Sequence, residues 1–116
     1  MKLYHATYDK HWESIMRNGL NPSLGKKCWS ISDLNCVFLS SDPAISKWYA
    51  MNAKFVDKTT KKKITVYEID SETLDRSKLK KDTRSYERHR SKCYEYEGTI
   101  EYKKLKELEA DDNRTT

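Results

Sequence analysis

The sequence predicts a small α+β domain built around one central sheet. Residues 64–70 are rich in β-branched residues, and residues 3–7 have the length and partial apolarity of a short strand. Helix-like stretches are few and do not alternate with strands as in a doubly wound sheet. With three glycines, the chain has neither G-x-G-x-x-G nor a P-loop. Any dinucleotide would need a different architecture.

The length of 116 residues predicts a single domain over residues 1–108. Hydrophobic residues make up only 36%, so large aromatic side chains have to supply much of the core. Residues 109–116 lack an apolar period and are expected to form a frayed polar tail.

The net charge of +5 is unevenly distributed. Residues 58–92 hold twelve Lys/Arg against six Asp/Glu, whereas residues 93–116 hold four against seven. The basic stretch is able to attract phosphates of nucleic acid or of a dinucleotide; a solvated surface is the alternative.

Cysteine usage and hydropathy predict a cytoplasmic protein. Cys28, Cys36 and Cys93 lack Cys-x-x-Cys spacing, so we expect buried thiols and no metal site. The sequence shows no signal peptide and no apolar run of about 20 residues, the length that spans a bilayer.

The first helix is expected over residues 10–18, with Asp9 as N-cap. Gly19 is placed for a left-handed C-terminal position, and Pro22 prevents the helix from resuming. The apolar stripe consists of Trp12, Ile15 and Met16.

A loop over residues 23–36 is followed by a buried strand at residues 37–39. Asp42 is the candidate N-cap of the second helix, with Pro43 at its first position and its end near Ala53. The stripe of this helix consists of Ile45, Trp48 and Tyr49.

The second half of the chain is predicted to contain two strands. Residues 57–63 suit a solvated hairpin tip before the strand at residues 64–70, and residues 71–92 suit one short helix and a long loop. The last strand covers about residues 92–97 and is broken by Gly98. Terminal helical turns are expected around Tyr102, Leu105 and Leu108.

The strands nearest the two ends carry the candidate chemistry. Alternation along the last strand places Glu95 and Glu97 on one face. If that strand lies close to the first, His5 and both carboxylates converge on one cleft.

Segments in matching order resemble ADP-ribosyltransferase-like domains, which use NAD. These are residues 4–7, 15–22, 37–43 leading into 48–50, and 94–100. The first resembles the His-Gly-Thr strand of rifampin ADP-ribosyltransferases and RNA 2′-phosphotransferases, with Ala6 in place of the usual glycine. The resemblance implies a split central β-sheet flanked by short helices. The small size would suit a phage- or mobile-element-borne member.

The resemblance also implies NAD-binding residues. His5 would hydrogen-bond a ribose hydroxyl, and Ser40 or Ser41 would line the nicotinamide side. The full set is Tyr4, His5, Thr7, Ser40, Ser41 and Tyr49. The alternatives are a satisfied strand histidine, turn and cap roles for the serines, and helix packing for Tyr49.

Cleavage of the nicotinamide–ribose bond passes through an oxocarbenium-like transition state, which a carboxylate stabilises. A second carboxylate two residues away is able to orient or deprotonate the acceptor. Glu97 has the first role, and Glu95 the second, if the later glutamate of the pair plays the family part. An exposed strand face with two routine glutamates is the alternative.

The sequence therefore predicts an NAD-dependent ADP-ribosyltransferase with a macromolecular acceptor. Protein is the favoured acceptor, because Glu-x-Glu resembles the arginine-directed subgroup; the basic stretch leaves nucleic acid open. The alternatives are a non-catalytic binding module on the same fold, an RNA 2′-phosphotransferase-like enzyme, and a protein that binds nucleic acid through charge alone. Arg84, Arg88 and Arg90 are candidates for contacts with a pyrophosphate or with the acceptor.

Overall fold

A computed structural model describes residues 1–8, 11–22, 36–52, 64–82 and 85–109. The strands are β1 (Lys2–Tyr8), β2 (Val37–Ser40), β3 (Ile64–Asp70), β4 (Leu79–Lys81), β5 (Cys93–Tyr96) and β6 (Lys106–Glu109). The helices are α1 (Trp12–Asn18), α2 (Pro43–Met51) and α3 (Glu87–Arg90), and short 3-10 turns lie at Ser71–Thr73, Arg76–Lys78 and Tyr102–Lys104. The predicted α+β class is confirmed.

The strands form one six-stranded antiparallel sheet in the order β4-β5-β2-β1-β3-β6. Strand alternation gives the sheet two sides. The side that carries Leu3, here called the Leu3 face, packs against Ile15 of α1 and against Leu20 and Ile100. The opposite side, here called the Phe38 face, is covered by α2, whose Tyr49 ring lies 4.8 Å from the Phe38 ring.

Local signals set both ends of α2. The Asp42 side chain accepts a hydrogen bond of 2.9 Å from the backbone N–H of Ala44, and Pro43 opens the helix, as predicted. The helix ends at Met51, with Asn52 as its C-cap. Ala53 lies outside the described residues.

Gly19 ends α1 and fixes the C-terminal segment against it. Its φ of +69° is favoured by glycine, although its ψ of −165° differs from the left-handed helical value that was expected. A Cβ at this position would lie 2.3 Å from the carbonyl oxygen of Ile100. The close approach allows Leu20 and Ile100 to exchange backbone hydrogen bonds of 2.8 and 3.0 Å.

Several predicted elements are corrected by the structure. Met16 is exposed, so it does not belong to the buried stripe of α1. Cys36 is half-buried, whereas Cys93 is buried as expected. Leu108 lies in β6, which extends to Glu109, and the preceding residues form one 3-10 turn in place of the predicted helical turns.

The stretch 71–92 is also more regular than predicted, because it contains β4 in addition to the short helix. Strand β5 ends at Tyr96, so Glu97 lies one residue beyond the strand in which it was predicted. The predictions for Asp9, Cys28, Arg84 and residues 23–35, 57–63 and 110–116 lie outside the described residues.

Candidate functional site

The ladder between β1 and β2 is interrupted. β1 pairs with β3 along its whole length, from Lys2 to Tyr8, but pairs with β2 only at Tyr4 and Ser40. Residues 5–8 and 37–39 therefore run past each other without ladder pairs, and we call this gap the β1–β2 opening. An interrupted ladder leaves backbone groups that need other partners.

The side chain of His5 supplies one such partner. Its Nδ1 lies 2.8 Å from the carbonyl oxygen of Phe38. Because a carbonyl only accepts, Nδ1 has to carry the proton, which leaves Nε2 of the neutral ring as an acceptor. Burial lowers the pKa of His5, against a smaller raising effect of the Phe38 contact, and so favours the neutral ring.

Glu95 lies on the other side of β2. It is half-buried in β5, and its register partner across the ladder is Phe38. In the strand order, β2 lies between β1 and β5, so β1 and β5 are not neighbours. His5 and Glu95 therefore approach Phe38 from its two sides, His5 by its hydrogen bond to the Phe38 carbonyl and Glu95 by its ladder pairing.

The two side chains belong to different sides of the sheet. His5 is the register partner of Tyr67, which packs in the core of the Leu3 face, whereas Glu95 shares the Phe38 face. A ligand that touches both has to occupy the β1–β2 opening. The expected convergence on one cleft thus depends on the interrupted ladder.

Glu97 is held at the edge of the sheet. Its backbone N–H donates to the carbonyl of Lys78 at 2.9 Å, and its carboxylate, 42% exposed, accepts a hydrogen bond from the ammonium of Lys80. That hydrogen bond is the main cause of the raised pKa of Lys80, and the nearby Glu95 adds to it. Lys80 is also the register partner of Glu95 across the β4–β5 ladder.

Ser40 and Ser41 join β2 to its neighbours. Ser40 is fully buried, and its hydroxyl lies 2.6 Å from both the carbonyl oxygen of Asp42 and the hydroxyl of Ser46. Ser46 in turn donates to the carbonyl of Tyr4 at 2.8 Å. The Ser40 hydroxyl therefore serves the joint between α2 and the sheet, and the predicted ligand contact is better suited to Ser41, which is half-buried.

Tyr4 and Thr7 are both half-buried strand residues. Burial, and secondly the carboxylate of Glu68, raises the pKa of Tyr4, whose register partner is Glu68. Thr7 pairs with Thr65 on β3, beside the β1–β2 opening. Both remain candidates for contacts with a ligand in the opening.

Tyr49 belongs to a cluster of rings that the sequence did not predict. We call this cluster the aromatic platform; it consists of Trp48, Tyr49, Tyr86 and His89. The hydroxyl of Tyr49 accepts the backbone N–H of Tyr86 at 2.9 Å and lies 3.2 Å from Nδ1 of His89. These contacts span 37 and 40 residues of sequence, so no local pattern would have predicted them.

No family model, curated protein or solved structure matches this chain. Within the described ranges, no group of three or more potential metal ligands lies together. The helices in the same ranges are all too short or too polar to cross a membrane.

Proposed function

We propose that the protein is a cytoplasmic NAD-dependent ADP-ribosyltransferase that binds NAD in the β1–β2 opening. The observation that carries this proposal is the position of His5 and Glu95 on either side of Phe38 at the gap in the sheet. In this account the interrupted ladder is the split of an ADP-ribosyltransferase-like sheet. The order of the resembling segments along the chain supports the same interpretation.

His5 is chemically suited to hold a ribose of NAD. Its Nδ1 donates to Phe38, so its Nε2 is the atom that accepts a hydrogen bond from a ribose hydroxyl. The Phe38 contact fixes the orientation of the ring, and the lowered pKa keeps it in the accepting form at neutral pH. A preorganised acceptor loses little entropy on binding.

Glu95 is the better placed of the two glutamates for the chemical step. It is half-buried beside Phe38, where a carboxylate stabilises developing positive charge more strongly than in water. The nicotinamide–ribose bond breaks and nicotinamide leaves with the bonding electrons. The acceptor then forms a bond to the same ribose carbon and gives its proton to the Glu97 carboxylate at the rim or to water.

Glu97 is less suited to that role, because it is more exposed than Glu95 and lies beyond the end of β5. The roles inferred from the family pattern are therefore exchanged in this proposal, with Glu95 at the ribose and Glu97 at the rim. The displacement of Glu97 from the strand also weakens the resemblance to the arginine-directed subgroup, which leaves the class of acceptor macromolecule open.

The proposal is tested with labelled NAD and a cell lysate, using wild-type protein and the double variant Glu95→Gln/Glu97→Gln. We expect the wild type to label a macromolecule and the double variant to label none. Both substitutions are isosteric and lie at half-buried or exposed positions, so circular dichroism should show an unchanged fold. No labelling and no NAD-induced thermal shift in the wild type would contradict the proposal, whereas a thermal shift without labelling would favour the non-catalytic binding module.

A further inference from the structure

We propose that the aromatic platform is a binding site for single-stranded nucleic acid. In this proposal the ring of Tyr86 stacks on a base, and the guanidinium of Arg88 binds an adjacent phosphate. Both residues lie at α3, outside the β1–β2 opening.

Tyr86 is an exposed ring held in a fixed position. It lies edge-on to Trp48 at 5.5 Å between ring centroids and nearly parallel to Tyr49 at 6.1 Å. Its backbone is held by the hydrogen bond to the Tyr49 hydroxyl, yet 51% of the residue is exposed. Preorganised exposed rings of this kind are the stacking surfaces that single-stranded nucleic-acid binders use.

Arg88 supplies a cation beside that ring. Its guanidinium carbon lies 5.2 Å from the ring centroid of Trp48 and 5.7 Å from that of Tyr86. A guanidinium over an aromatic face keeps the N–H groups at its edge available for a phosphate. In the described part of the chain, no carboxylate lies within ion-pair distance of Arg88, whereas Arg17 pairs with Glu13 at 3.6 Å.

The positive charge around the platform favours a nucleic acid, which carries one negative charge per nucleotide, over an acidic peptide. Residues 85–92 contain three basic residues and one acidic residue, within the basic stretch 58–92. Arg90 is occupied by the carbonyl of Ser85, to which it donates at 2.8 and 3.2 Å. Arg90 therefore holds the turn in shape while Arg88 faces the ligand. Each nucleotide of a nucleic acid carries a phosphate and a base, and these suit the neighbouring guanidinium of Arg88 and ring of Tyr86.

The platform and the proposed catalytic carboxylate lie on the same side of the sheet, with Phe38 between them. Tyr49 lies 4.8 Å from the ring of Phe38, and Phe38 is the register partner of Glu95. A nucleic-acid strand bound at Tyr86 would therefore lie on the same side of the sheet as Glu95. The role of nucleic acid as the acceptor rests on the proposed function. Binding of nucleic acid to the platform does not.

The test is a fluorescence-anisotropy titration, without NAD, of labelled single-stranded RNA and DNA of about 12 nucleotides, which is within the usual site sizes. We expect binding that weakens as salt rises. Tyr86→Ala and Arg88→Ala should each weaken it about tenfold, the size expected for one stacked base or one held phosphate. The matched control Arg17→Ala removes the same charge from α1, on the other side of the sheet, and should change affinity less than about twofold.

Two conservative variants separate a specific role from damage to the fold. Tyr86→Phe keeps the ring, and its backbone contact to Tyr49 does not need the phenol, so it should bind like the wild type. Arg88→Lys keeps the charge but loses the planar group, and should bind more weakly than the wild type. No binding by the wild type would overturn the proposal. An equal loss in Arg17→Ala, Tyr86→Phe and Tyr86→Ala would overturn it as well.

The binding assay and the labelling assay test the two proposals separately, so either proposal is able to fail without the other. Glutamate-dependent labelling of protein without oligonucleotide binding would contradict the proposed nucleic-acid site and support the proposed transferase. Oligonucleotide binding through Tyr86 and Arg88 without any labelling would contradict the proposed transferase and support the proposed nucleic-acid site.

Discussion

His5 has a structural role in the sheet and a role in the proposed chemistry. The gap between β1 and β2 would leave the carbonyl of Phe38 without a ladder partner, and Nδ1 of His5 donates to it. This contact fixes the tautomer and directs an acceptor nitrogen away from Phe38. In the proposed function, the residue that satisfies the Phe38 carbonyl is also the one that accepts a hydrogen bond from a ribose hydroxyl.

The same burial predicts a pH dependence of stability. Because the pKa of His5 is lowered in the folded state, the unfolded chain takes up the proton first as pH falls. The free energy of unfolding should therefore decrease as pH falls below about 6.5, the ordinary pKa of histidine. Urea unfolding at pH 7.5 and 5.5 measures this loss, which should be smaller in His5→Gln.

His89 makes a second, separate contribution to the same pH dependence. Its pKa is lowered mainly by burial and secondly by Arg88, so His89→Gln should remove a separate share of the loss. An unchanged pH dependence in His5→Gln would show that His5 does not titrate as the structure requires.

At the scale of elements, the C-terminal end of α1 at Gly19 is the position most sensitive to substitution. Gly19→Ala would place a Cβ 2.3 Å from the carbonyl oxygen of Ile100 at a φ of +69°, so the Leu20–Ile100 pairing has to open. We expect a loss of about 2 kcal/mol or more in the free energy of unfolding, measured in urea.

Gly98→Ala is the control for this substitution. The nearest atoms to its added Cβ are side-chain atoms of Lys78 and Tyr96 at 3.4 Å, which are able to adjust. Its effect should stay within about 1 kcal/mol. Equal losses in the two variants would contradict the account of Gly19 as a required close contact.

The elements also show how far sequence patterns reach. Asp42 and Pro43 predicted the start of α2 because capping is a local interaction. β4 and β6 were not predicted, because they are charged edge strands whose conformation depends on pairing with β5 and β3.

The candidate site was predicted in part for the same reason. His5 and Glu95 could be identified by their positions on strands, and the structure places those strands on either side of β2. The Lys80–Glu97 ion pair and the aromatic platform could not, because their partners are brought together only by the folded sheet.

In the whole molecule, the two sides of the sheet have different tasks. The Leu3 face carries most of the apolar core, under α1 and the C-terminal segment. The Phe38 face carries α2, Glu95 and, at its margin, the aromatic platform. In the proposed function, NAD lies in the β1–β2 opening, between the strand that carries His5 and the strand paired with Glu95.

The most direct test of this account is release of nicotinamide from NAD by purified protein, quantified by chromatography. We compare the wild type with the single variants Glu95→Gln and Glu97→Gln, after confirming equal thermal unfolding. The account predicts release by the wild type, a loss of about 100-fold or more in Glu95→Gln, and a much smaller loss in Glu97→Gln. Full release by Glu95→Gln, or none by the wild type in the presence of oligonucleotide and lysate acceptors, would contradict it.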